Sequence, residues 1–260
     1  MSTATHGDLR INYELEGPAD APVLVMSNSL GTTLAMWDPQ MPVLRKHFRV
    51  LRYDTRGHGA STESGQRFGI EDLGDDVLAV MDHAGVQRAH FCGLSMGGMT
   101  GMWLARHYPN RFDRFVLANT AALIGPASGW NSRIELVQRD GMAAIVDSVL
   151  ARWFTPAYLA GDPARLAPVR TMLLQANATG YTASCAAVRD ADLRALLQGI
   201  EAEVLVIAGM QDAGTTPEQG LAVACAIPHA AYISLAAAHL SNWELPQAFA
   251  DAVTFFLLRS

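Results

Sequence analysis

Gly93-Leu94-Ser95-Met96-Gly97 is a G-x-S-x-G pentapeptide, preceded by an apolar β-type run and followed by a helical pattern. A serine in that setting sits on a tight strand-to-helix turn. Small neighbours avoid clashes there, and the hydroxyl is pushed out at the end of the strand. The first amide of the following helix, that of Met96, then faces any negative charge developing next to Ser95. The chemistry this suggests is nucleophilic acyl transfer. A phosphate-binding loop is the competing reading of a glycine-rich turn, but the chain has no G-x-x-x-x-G-K-[ST] sequence, and Ser95 stands where G-x-G-x-x-G needs glycine.

An unactivated serine hydroxyl is a weak nucleophile. It needs a base in contact and an acid that orients the base. On the fold that carries this turn, the chain order is Ser, then Asp or Glu, then His. Asp212 follows the apolar run 204–208, and His239 follows the run 231–235. Both are expected in loops at the sheet edge where Ser95 emerges, with Asp212 as triad acid and His239 as general base. His229 precedes the last run and belongs at the opposite edge. His58, in Asp54-Thr55-Arg56-Gly57-His58-Gly59-Ala60-Ser61, lies before the nucleophile in the chain. That segment reads as a structural turn, with Gly57 and Gly59 shaping it and Arg56 pairing with Asp54.

A tetrahedral intermediate needs a second hydrogen-bond donor, supplied by the loop after an early strand. Ser27-Asn28-Ser29-Leu30-Gly31 is that loop, and the Leu30 amide is expected to pair with the Met96 amide as the oxyanion hole. Substrate contacts are expected from Ser29 and from Trp130, Arg133 and Trp153, with Arg133 a candidate clamp for a carboxylate. No H-E-x-x-H or comparable ligand spacing appears, so no metal site is expected.

These side chains need a scaffold that brings several loops to one edge. Strand-like runs at 10–16, 23–26, 50–53, 89–93, 115–118, 204–208 and 231–235 alternate with helical patterns at 72–83, 96–107, 217–226 and 246–257. Short continuous β-branched runs between helices predict an α/β fold, a mostly parallel sheet covered on both faces. Residues 121–198 break the alternation. Helical patterns at 134–137, 143–150, 166–174 and 183–187 follow one another without a strand. The expected organisation is an α/β core, 1–120 and 199–260, with an inserted helical cap at 121–198.

The bulk numbers agree. A chain of 260 residues, half of them hydrophobic and 17% charged, can bury a large core. A net charge of −6 and a single lysine, Lys46, give no basic patch for nucleic acid. Cys92, Cys185 and Cys225 are odd in number and show no C-x-x-C spacing, which suits reduced thiols rather than zinc or disulfides. The polar N-terminus lacks the apolar core of a signal peptide, and no run is long enough to span a bilayer. A cytoplasmic protein without membrane partners is expected.

Four segments together resemble the 3-oxoadipate enol-lactonases, α/β-hydrolases of bacterial aromatic catabolism by the β-ketoadipate pathway. They are Ser27-Asn28-Ser29-Leu30-Gly31-Thr32, Asp54-Thr55-Arg56-Gly57-His58-Gly59, Gly93-Leu94-Ser95-Met96-Gly97-Gly98, and Ala238-His239-Leu240-Ser241-Asn242 with Glu244 and Pro246. The serine turn and the Arg-Gly-His-Gly segment are common to many hydrolases. The Asn28-Ser29-Leu30-Gly31 loop and the stretch after His239 are more specific. The resemblance implies hydrolysis of a small anionic enol-lactone to 3-oxoadipate, without a cofactor. A general carboxylesterase or a C–C bond hydrolase would use the same triad. A lactone receptor on a hydrolase scaffold would keep the pocket but show negligible turnover. None of these readings fixes an oligomeric state.

Overall fold

The alternating runs condense into one eight-stranded sheet in a computed structural model that describes residues 2–63 and 65–259. The strands are β1 (Ser2–His6), β2 (Leu9–Glu16), β3 (Val23–Ser27), β4 (Arg49–Tyr53), β5 (Ala89–Leu94), β6 (Phe112–Ala118), β7 (Glu203–Gly209) and β8 (Ala230–Leu235). Their spatial order is β1-β2-β4-β3-β5-β6-β7-β8. β1 and β2, and β2 and β4, run antiparallel; every later pairing is parallel. β5 is buried at every position, as a strand covered on both faces must be, whereas β8 forms a half-exposed edge.

The helices are α1 (Met41–Leu44), α2 (Ile70–His83), α3 (Met96–His107), α4 (Ala127–Asp140), α5 (Val146–Trp153), α6 (Pro156–Leu159), α7 (Ala167–Gln175), α8 (Ala178–Asp190), α9 (Pro217–Ala226), α10 (Ser241–Glu244) and α11 (Pro246–Leu258). α3 packs hardest against the sheet. A Cβ on Gly97 would collide with the Ser27 carbonyl, and one on Gly93 with the Gly97 carbonyl. The glycines of the pentapeptide are thus required by close approach of helix to strand.

Between β6 and β7 the described residues form only helices, α4 to α8 with short 3-10 turns. The expected helix at 143–150 is two pieces, a 3-10 turn at Met142–Ala144 and then α5. The expected helix at 183–187 is the middle of the longer α8, which Asn177 caps by accepting from the amides of Thr179 and Gly180. α8 rests on the core through a glycine pair. A Cβ on Gly180 would meet the Gly57 backbone, and Gly57 itself has φ +72°.

Two sequence expectations change. The polar N-terminus forms β1, which pairs with β2 along its whole length. Arg56 does not pair with Asp54. Its guanidinium instead makes two bonds to buried Asp76, at 2.6 and 2.9 Å, and one to the Asp72 carbonyl. Asp54 accepts instead from Asn12, from the Leu34 amide and from the Ala60 amide. Two carboxylates that the sequence left unassigned, Asp72 and Asp76, lie on α2, which packs beside this turn. No helix among the described residues is long and apolar enough to cross a membrane.

Candidate active site

β3, β5, β6, β7 and β8 all end at the same edge of the sheet, and the loops leaving them converge there. That edge is where parallel α/β sheets place their ligand sites. Ser95 leaves β5 with φ 59° and ψ −115°, a conformation rare for a residue with a side chain. It is held there by its own backbone: its amide donates to the Ala118 carbonyl at 2.9 Å, and its carbonyl accepts from Met99 N–H and the Thr120 hydroxyl.

Asp212 and His239 meet 27 residues apart in sequence, with His239 Nδ1 2.7 Å from Asp212 Oδ2. Asp212 is buried, and five donors surround its carboxylate. Oδ1 accepts from the amides of Gly214 and Thr215; Oδ2 accepts from the Thr215 hydroxyl, from Asn119 Nδ2 and from His239. Burial pushes the Asp212 carboxyl up. The His239 charge, the His239 hydrogen bond and the Thr215 donors outweigh it, so the group lies below the ordinary aspartate value. An ionised carboxylate that accepts Nδ1–H leaves the Nε2 lone pair of His239 free to act as a base.

A cavity of about 290 Å³ joins these groups. Ser29, Leu30, Ser95, Met96 and His239 form its floor, and Trp130, Arg133, Trp153 and Tyr181 of the helical insertion form its roof. All four residues expected to contact substrate therefore face one space. Arg133 lies over the Trp130 ring, 4.8 Å from its centroid, and the Trp153 ring stacks on His239. Among the described residues, neither the Leu30 nor the Met96 amide donates to a protein acceptor.

The sequence reading did not single out Tyr181, Arg152 or Asn119, and gave Glu244 no contact. Arg152 also lines the cavity, and neither it nor Arg133 pairs with a protein carboxylate among the described residues. Asn119, with φ 43°, donates to both Asp212 and the Ala238 carbonyl and accepts from the Ser241 hydroxyl at 2.6 Å. Its position just past β6, at the same edge as Ser95, was the available signal. Glu244 accepts from the amide and hydroxyl of Thr155, which ties the insertion to the loop after His239. Nothing in the sequence links those two residues.

The family model for the α/β-hydrolase fold matches residues 22–246. The chain belongs to the α/β-hydrolase family. This hydrolase is 44% identical to 3-oxoadipate enol-lactonase 2 of Acinetobacter baylyi, over 99% of its own length and 96% of that protein. Its structure superposes with a TM-score of 0.97 on an enol-lactonase from Burkholderia xenovorans, at 45% identity, covering 99% and 100% of the two chains. A hydrolase from Pseudomonas aeruginosa gives 0.95 at 48% identity, covering 99% and 98%.

His58, the rival base, is otherwise engaged. Its Nε2 lies 3.0 Å from the Gly31 amide and its Nδ1 3.1 Å from the Arg56 carbonyl. Burial pulls its pKa below the ordinary histidine value, although the Arg56 carbonyl and Asp54 both favour the cation. An unfolded chain takes up a proton at this position near pH 6.5, before the native state does. The unfolded state thus binds more protons here in that window, and the contribution of this residue to stability falls as pH drops below about 6.5. His58→Gln should lose part of that acid sensitivity. Urea midpoints at pH 7.5 and 5.5 test this: an equal drop in wild type and variant would mean His58 is already protonated in the fold.

Proposed function

We propose that this hydrolase opens 3-oxoadipate enol-lactone, or a close anionic analogue, by acyl-enzyme chemistry at Ser95. One observation carries the reading: a single cavity is lined by Ser95, by His239 with Asp212 bonded behind it, and by two arginines that pair with no protein carboxylate among the described residues. The similarity to enol-lactonases over nearly the whole chain supports it.

His239 takes the proton of Ser95 as its oxygen attacks the lactone carbonyl. The amides of Leu30 and Met96 hold the oxyanion. Collapse of the intermediate breaks the ring C–O bond. The departing oxygen is an enolate, stabler than an alkoxide, so the step needs less acid assistance. His239 gives its proton to the departing enolate, and the enol stays attached to the acyl chain. The neutral His239 then takes a proton from the water that attacks the ester and returns it to Ser95 as the acyl bond breaks. The released enol tautomerises to the 3-oxo diacid. Residues 121–198 serve as a cap that roofs this site. Arg133, stacked on Trp130, anchors the substrate carboxylate with Arg152 beside it. Ser29 and Trp153 complete the wall.

Turnover of the enol-lactone and of a neutral p-nitrophenyl ester by wild type and Arg133→Ala tests the proposal. A kcat/KM at least ~100-fold higher for the lactone is expected, about 2.7 kcal/mol of transition-state preference. Arg133→Ala should raise KM for the anionic lactone more than for the ester. Equal turnover of both substrates would move the assignment to a broad esterase, and equal effects of the mutation would remove Arg133 from carboxylate binding.

A further inference from the structure

The loop after β3 lies between two side-chain acceptors. The Ser29 amide donates to Met36 Sδ at 3.2 Å, and the Gly31 amide donates to His58 Nε2 at 3.0 Å. Between them the Leu30 amide is left without a protein acceptor among the described residues, on the wall of the cavity that holds Ser95. One residue earlier, Asn28 is pinned by Trp37 Nε1 on its Oδ1 and donates from Nδ2 to the Tyr53 carbonyl. A thioether is a weak acceptor and an imidazole nitrogen a strong one, so His58 is the stronger of these two side-chain anchors. The Thr32 amide and hydroxyl, both donating to the Ser29 carbonyl, close the turn itself and leave its placement to those anchors.

That tether works in one protonation state. The Arg56 carbonyl can only accept, so Nδ1 of His58 carries the hydrogen and Nε2 is left with a lone pair for Gly31. An imidazolium would point a second N–H at the Gly31 N–H. Burial of the ring, 1% exposed, favours the neutral form. The ring itself is fixed by a rigid base. Asp54 bonds Leu34 and Ala60, and the Ser61 hydroxyl donates to the Asp54 carbonyl. Behind the loop lies a second cavity of about 360 Å³, lined by Gly31, Thr32, Thr33, His58, Met172 and Gln175. A loop released from His58 has space to move into.

We infer that His58 is a positioning residue of the oxyanion loop: it holds the Gly31 amide so that the Leu30 amide faces the oxyanion on Ser95. The inference rests on the proposed role of Leu30. It places the Arg-Gly-His-Gly turn, which does not line the Ser95 cavity, in control of a transition-state contact.

The contact operates on the tetrahedral intermediate, so its loss should appear in kcat and leave ground-state binding alone. His58→Leu, which fills the space without an acceptor, is expected to lower kcat on the enol-lactone by about 10- to 100-fold. Inhibition by phenylboronic acid, whose adduct with Ser95 is tetrahedral, should weaken in parallel. KM and competitive inhibition by adipate should change by less than about threefold. His58→Gln, which restores an acceptor oxygen, should recover most of kcat. A kcat within threefold of wild type for His58→Leu, or a loss that Gln does not repair, would overturn the inference. If His58→Leu does not fold, an amide-to-ester replacement at residue 31 removes the same hydrogen bond with His58 in place, and the same kcat loss is expected. The corresponding ester at residue 30 separates the two claims. An unchanged kcat there removes Leu30 as donor. A large loss there, with none from the residue 31 ester or His58→Leu, keeps Leu30 as donor and removes His58 as its positioner.

Discussion

Ser95→Ala should lower kcat on the enol-lactone by about 10⁶, roughly 8 kcal/mol of barrier, and leave the fold unchanged. In the proposed mechanism the hydroxyl forms the acyl-enzyme bond, and that mechanism has no other group to replace it. The backbone bonds around Ser95 explain why the fold should survive. The Ser95 backbone is held by Ala118, Met99 and Thr120, and none of those bonds uses the side-chain oxygen. Alanine suffers the same strain as serine at φ 59°, so the melting temperature should move little. Ser95→Gly should be equally inactive yet more stable, by about 1 kcal/mol, because glycine relieves that strain. Single-turnover measurements decide the assignment: as much as a tenth of wild-type activity in Ser95→Ala would remove Ser95 as the nucleophile. A Ser95→Gly variant less stable than wild type would remove the strain argument while leaving the chemistry intact.

The sequence showed the parts of this site that depend on local chain geometry. A strand, a Gly-flanked serine and a helix are contiguous, so Gly93 to Gly97 announces itself. Asp212 and His239 were legible because each follows a strand-like run, and parallel strands bring all such loops to one edge. The partners of buried charges were not legible in this way. Arg56 was matched with Asp54, two residues away, because spacing along the chain shows only local partners. The guanidinium reaches Asp76 on α2 instead, and Asp54 is left to organise three donors around the loop after β4. β1 was missed for a related reason. A short edge strand buries only Ala4 on its inner side, too little to set up an apolar alternation. In the helical insertion, α-type periodicity showed that helices exist, but not which arginine faces the cavity. Arg152 carries no feature in the sequence that separates it from the chain's other surface arginines.

The contacts between the helices that follow β6 and the loops at the sheet edge explain how such a site stays assembled. The Leu240 amide, next to His239, donates to the Trp153 carbonyl, and Glu244 accepts from Thr155. The loop that carries His239 is thereby bound to the helices that line the cavity. On the other side α8 touches the Arg56–Gly59 turn through the Gly57–Gly180 approach, and that same turn carries His58. The helices over the cavity, the loop that carries His239 and the loop after β3 are therefore tied to one another by contacts within the protein.

Asp212→Asn should cost about 10⁴ in kcat with little change in KM. The reason lies in which donors around the residue can adapt. Gly214 and Thr215 present backbone N–H groups to Oδ1, and these cannot turn into acceptors. The asparagine oxygen must therefore face them, and its NH₂ takes the place of Oδ2, beside His239 Nδ1. Nδ1 then becomes the acceptor, and the ring proton moves to Nε2. An imidazole with Nε2–H cannot take a proton from Ser95, so the base is present, correctly placed and inactive. Neither Asn119 nor Thr215 repairs this, because Asn119 Nδ2 is a donor and Thr215 Oγ1 lies 3.3 Å from Nδ1 with its own hydrogen to place. The ¹⁵N shifts of His239 in wild type and Asp212→Asn would show the tautomer change directly. A loss of less than tenfold, with the tautomer unchanged, would mean that the carboxylate does not orient His239. The acyl-transfer reading would then need another group to hold the base.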